Sequence, residues 1–115
     1  IKYESGDKIG AEIYLSQFLR DQPVDVMVSS AALMLADISL QGGNTQEAIS
    51  FLDIGIKKSK DSHTRRIIKL EKAKLILSQG DFERARTITD GVLSNKDVTV
   101  IEKQVAEELL GRIPG

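Results

Sequence analysis

The chain has 115 residues, 41% of them hydrophobic and 29% charged, a balance that suits one folded domain and is too apolar for a disordered segment. Sixteen Lys and Arg against 17 Asp and Glu leave a net charge of −1, which argues against a general nucleic-acid binder, since such proteins need a basic excess to displace counterions. Aromatic residues make up only 4% and Trp is absent, so base-stacking platforms are not expected; the lack of cysteine excludes disulfides, thiolate metal sites and cysteine catalysis.

No apolar run approaches the roughly 20 residues of a membrane helix, the longest being Ala31 to Ala36. No signal peptide is visible. The chain begins with Ile1 and not Met, so it reads as a mature product or a piece of a longer protein, with any anchor or targeting segment upstream.

Ile1 to Ser5 reads as the tail of a helix that Gly6 ends and Asp7 follows as the cap of the next. Ile9, Ile13, Tyr14, Leu15, Phe18 and Leu19 recur at three- and four-residue steps, a helical stripe that Pro23 closes. Asp25 is expected to cap a second helix to about Gln41, apolar nearly all round at Ala31 to Ala36 and so the most buried. Gly42-Gly43 stops it, and Asn44 with Glu47 forms a capping-box-like pair for a third helix from Thr45 to about Lys58. After a polar turn, a fourth helix runs to Ser78. Gly80-Asp81 turns into a fifth, Phe82 to Leu93, and Asp97 is expected to cap a sixth, Val98 to about Leu110. Period-2 alternation is absent, so the chain is all-α.

One phrase recurs along this path. Gly6-Asp7 with Ala11, Gly43-Asn44 with Ala48, and Gly80-Asp81 with Ala85 are each 37 residues apart, and a fixed period in this range marks a stacked repeat array. Ala36 and Ala73 on one helix of each pair, and Ala11, Ala48 and Ala85 on the other, are expected at close helix crossings, where larger side chains would overpack. Ala48 is accordingly expected to tolerate enlargement less well than Ala106. Gly55 and Gly91 are locally unfavourable in helix interiors, which suggests another helix packed tightly over each.

The stretch from Leu35-Ala36 to Ile56, with Gly43-Asn44, Ala48-Ile49, Leu52 and Gly55-Ile56, resembles a tetratricopeptide repeat, as does Ala73 to Leu93 with Gly80-Asp81-Phe82, Ala85 and Val92-Leu93. The resemblance implies a tetratricopeptide-like helix-turn-helix solenoid of about six helices in antiparallel pairs. It divides the single domain, residues 1–115, into the second helix of a first repeat (1–23), two repeats (24–60 and 61–96) and a final helix (97–113). The period departs from the usual 34 residues, and Ser39 and Ile76 stand where large aromatics are favoured. Val28 through Leu93, including Ala31-Ala32-Leu33, Gln46-Glu47-Ala48 and Leu70-Glu71-Lys72-Ala73, also looks like the tetratricopeptide-like domain of YfgM-type ancillary subunits of the SecYEG translocon. That likeness implies a chaperone-associated bacterial factor, membrane-anchored in full length and periplasmic rather than cytoplasmic.

Residue types offer little chemistry. His63, the single histidine, sits beside Asp61 and Ser62 in a polar turn without the pocket a triad needs. No second His or Cys supports a metal, no phosphate-binding glycine motif occurs, and the adjacent Glu107 and Glu108 diverge by about 100° on a helix. No catalytic residue, cofactor or metal is expected, and the chain is read as a non-enzyme. A basic cluster around Lys57, Lys58, Arg65 and Arg66 is either a solvated repeat edge or a dock for an acidic peptide or an anionic membrane surface. The groove positions of the resembled family fall on Ser30, Leu33, Asp37 and Leu40 in one repeat and Ile67, Leu70, Lys74 and Leu77 in the next. Either these line a concave peptide-binding face or several of the leucines pack against the following helix. The expected function is a protein–protein interaction scaffold with a protein or peptide partner and no nucleic acid. The alternatives are self-association through apolar end helices, with Tyr14 and Phe18 uncovered, and an accessory domain of a larger envelope or cytoplasmic protein.

Overall fold

The computed structural model describes residues 12, 13, 15, 16 and 25–114. The first four lie in helical backbone, and five further helices follow: α1, Asp25–Gln41; α2, Thr45–Lys58; α3, Ser62–Ser78; α4, Phe82–Leu93; and α5, Val100–Gly111. Among the described residues there is no strand. The expected cap at Asp7, the crossing at Ala11, the stop at Pro23 and the uncovered Tyr14 and Phe18 lie outside the described residues.

The recurring glycine phrase does the same physical work twice. Gly43 and Gly80 hold φ of 78° and 85°, the left-handed region that glycine enters without a Cβ penalty. Gly43 N–H donates to the Leu40 carbonyl and Asn44 N–H to that of Ser39; Gly80 to Leu77 and Asp81 to Ile76 repeat the pattern, which satisfies the last carbonyls of α1 and α3 in a Schellman arrangement. Asn44 and Asp81 then turn their side chains forward and accept from Glu47 N–H and Arg84 N–H at 3.1 and 3.2 Å. One residue thus closes one helix and opens the next. The partner that Glu47 takes is not the expected one: its carboxylate accepts from Ser39 Oγ at 2.8 Å and so ties the start of α2 to the end of α1.

Asp61 caps α3, accepting from both the N–H and the hydroxyl of Thr64 at 2.9 and 2.8 Å. The Thr64 N–H and hydroxyl bonds hold the Asp61 carboxyl below its ordinary value. At α5 the expected cap is displaced by two residues. Thr99, not Asp97, accepts from Glu102 N–H, and the Glu102 carboxylate accepts back from Thr99 N–H, both at 3.2 Å, a reciprocal capping box.

The core runs along the small residues that the period marks. Ala48, Ala73 and Ala106 are completely buried, and Ala36 and Ala85 nearly so. Ala106 is as fully buried as Ala48, so burial gives no reason for it to be the more tolerant site. Gly55 and Gly91 do separate. A Cβ on Gly55 would lie 2.7 Å from Ala32 Cβ and 3.2 Å from Ile68 Cδ1, so α1 and α3 close over α2 there. Among the described residues nothing lies within 4 Å of the corresponding position at Gly91, so none of the described helices covers it.

Candidate functional site

Three openings and one buried polar cluster are candidates. The first opening is a cleft of about 90 Å³ between α1 and α3, lined by Leu33, Ala36, Asp37, Leu40, Leu52, Glu71 and Leu75. It brings together three of the four α1 positions expected in a groove: Leu33 is half-buried, Leu40 is 36% exposed, and Asp37 is exposed and accepts from Gln41 Nε2 at 3.0 Å. Ser30 is exposed but does not line it.

On α3 the expected set divides. Ile67 and Lys74 are exposed, whereas Leu70 is 5% exposed and packs with Ala73, Val92, Ala106 and Leu109, with Leu77 against the same cluster. Leu70 and Leu77 thus cover the following helices instead of facing a partner. The cause is geometric. A groove between two helices is lined by one flank of the first and the opposite flank of the second. Moving the register of Leu33 and Leu40 forward by 37 residues finds the flank of α3 that faces α5. The flank that faces α1 carries Glu71 and Leu75 instead, one turn apart at i,i+4.

The basic cluster does not form a four-residue surface. Lys57 is exposed and Lys58 half-buried, and Arg65 donates to the Ser59 carbonyl at 3.1 Å. Arg66 is 5% exposed: its Nε donates to Glu102 Oε1 at 2.6 Å and its Nη2 to the Asp97 carbonyl at 3.1 Å. Glu102 is 2% exposed, and His63 Nδ1 lies against its second oxygen, Oε2. Burial alone would raise the Glu102 carboxyl. The Arg66 hydrogen bond, the Thr99 N–H, the Arg66 charge and the His63 contact outweigh it and hold the group below its ordinary value. This cluster fastens α5 to α3. Beside this cluster Asp61 accepts from Thr64, while His63 is turned to Glu102.

The second opening, about 310 Å³, is lined by Glu12, Ile38, Ser39, Gln41, Gly42, Asn44 and Glu47. Burial, the Glu47 charge and a hydrogen bond to Glu47 together raise the Glu12 carboxyl. The third, about 300 Å³, lies among α2, α3 and α4 and is lined by Asp53, Ile56, Lys69, Lys72, Thr87, Ile88 and Gly91. Among the described residues no group of three or more His, Cys, Asp or Glu could hold a metal ion. No helix of the described residues is long and apolar enough to cross a membrane.

No family model, curated protein or solved structure matches this chain.

Proposed function

We propose that the protein is a non-enzymatic interaction module of tetratricopeptide-like build, and that the α1–α3 groove receives a peptide segment of a protein partner. The observation that carries this reading is the composition of that groove. Leu33, Leu40 and Leu75 offer apolar surface to an aliphatic anchor, and Asp37 and Glu71 set two carboxylates beside them. Such a site favours a segment with a leucine-like side chain flanked by lysine or arginine, because charge complementarity adds on-rate and discrimination to apolar burial. The repeat reading is supported by helix starts at Asp25 and Ser62 and at Thr45 and Phe82, each pair 37 residues apart, joined by the same Schellman-and-cap turn.

A fluorescein-labelled peptide with one leucine between lysines tests this by anisotropy. Glu71→Lys should weaken binding about tenfold or more, a loss of about 1.4 kcal/mol, while leaving the melting midpoint in place, since Glu71 lies on the groove rim. Unchanged affinity would remove the groove from consideration. Self-association is the second reading, and α5 favours it: Val100, Ile101 and Val105 are 72%, 73% and 41% exposed. Light scattering over a concentration series decides that point, since a mass that stays monomeric rules it out.

A further inference from the structure

The opening among α2, α3 and α4 differs from the groove in charge and in position. On α3 this opening is lined by Lys69 and Lys72 and the groove by Glu71 and Leu75, so at about 100° per residue the two openings use neighbouring faces of the helix. Ile56 and Ile88 are half-buried and give this second cleft an apolar floor. The carboxylate on its rim, Asp53, is already held by Lys72 at 2.6 Å. That leaves the exposed Lys69, which makes no hydrogen bond or ion pair among the described residues, as the uncompensated charge at the mouth, with the exposed Lys57 one turn beyond Asp53 on α2.

Gly91 lines the same cleft. A glycine in a helix interior is among the least favourable residues there, and it is normally justified by a positive φ or a close neighbour. Among the described residues Gly91 has neither: its φ is not in the left-handed region, and no atom lies within 4 Å of where a Cβ would stand. The fold does not require this glycine, but an occupant of the cleft would, because a side chain at position 91 fills the space that the occupant needs.

We propose that the α2–α3–α4 cleft is a second docking site, which takes an acidic peptide segment by seating an aliphatic side chain between Ile56 and Ile88, against Gly91, with a neighbouring carboxylate on Lys69. The charge of the mouth selects the acidic partner. The concave shape selects a peptide over an anionic bilayer, whose flat surface cannot reach a floor set between three helices. The site is separate from the α1–α3 groove and prefers the opposite charge, so one module would hold two segments of opposite sign on neighbouring faces of α3.

Two fluorescein-labelled peptides test this by anisotropy, one with a leucine flanked by glutamate and aspartate, the other with lysine at those acidic positions. The acidic peptide should bind the parent chain. Lys69→Glu and Gly91→Leu should each weaken it about tenfold or more, with melting midpoints at or above the parent's, while the groove variant Glu71→Lys leaves it unchanged. Absence of binding to the parent overturns the proposal, as does equal binding by the lysine peptide. Sensitivity to Lys69→Glu without sensitivity to Gly91→Leu also overturns it, because it reduces the effect to surface charge. Capture of anionic phospholipid vesicles that is lost in Lys69→Glu assigns the face to a membrane and overturns the peptide assignment.

Discussion

Gly55 and Gly91 should respond to the same substitution with opposite signs. Both lie inside helices, so replacing either by alanine removes the conformational cost of a helical glycine, about 1 kcal/mol. At Gly91 that gain meets no opposing contact, since among the described residues nothing lies within 4 Å of the added methyl. Gly91→Ala should therefore stabilise the chain by roughly 0.5–1 kcal/mol. At Gly55 the methyl would stand 2.7 Å from Ala32 Cβ, about 1 Å inside the ordinary carbon–carbon separation of roughly 3.5–4.0 Å. Ala32 has no side-chain torsion with which to withdraw and is itself fully buried, so α1 must shift on α2. Overpacking of this kind costs about 1–3 kcal/mol; at the middle of that range, subtracting the propensity gain of about 1 kcal/mol leaves Gly55→Ala destabilising by roughly 1 kcal/mol. Urea unfolding followed by far-UV circular dichroism should separate the two variants by about 2 kcal/mol at unchanged m-value. A Gly55→Ala protein as stable as the parent would refute the close crossing of α1 and α2.

Two further predictions concern the attachment of α5. Glu102→Gln leaves the Arg66 guanidinium buried without its anion, and breaking a buried pair in this way costs about 3–5 kcal/mol; Arg66→Met with Glu102→Leu should recover most of it, and a double variant no better than Glu102→Gln would contradict the pairing. The same carboxyl sets a pH dependence. Its folded-state value lies below the ordinary 4.5, so its contribution is fully present above about 4.5, is lost as pH falls through the depressed folded value, and should vanish from the acid limb of the stability profile in the double variant. At the helix start, Thr99→Ala should cost about 1 kcal/mol through the lost cap, with Asp97→Ala much closer to neutral; equal costs in thermal melts would return the cap to Asp97.

Local chemistry was legible in the sequence, and pairing between distant elements was not. The turns at Gly43-Asn44 and Gly80-Asp81 follow from a glycine stop and an Asn or Asp cap, and the α2 and α4 boundaries fall where those residues put them. At α5 the Thr99 and Glu102 spacing carried the signal for a capping box, but Asp97 is as good a cap by residue type, and only the backbone geometry chooses between them. Arg66 could not be told from its basic neighbours, because its anion lies 36 residues away. Leu70 and Leu77 share a helical register with Leu33 and Leu40, so periodicity places them alike. What differs is that α5 covers the first pair, whereas the second pair faces the groove beside α3. Gly55 and Gly91 look equivalent as helix-interior glycines, yet 55 plus the 37-residue period falls on Val92, which is 2% exposed, and not on Gly91. The missed groove residues, Glu71 and Leu75, belong to a flank that a single-helix pattern does not single out.

The claim that matters most is that the α1–α3 groove is a docking site, and it is tested most directly by amide and methyl NMR of the labelled chain during titration with the lysine–leucine peptide. The account predicts saturable shifts at Leu33, Leu40, Glu71 and Leu75, abolished by Glu71→Lys. Shifts confined to Ile101 and Val105 on α5, or none at all, would contradict it.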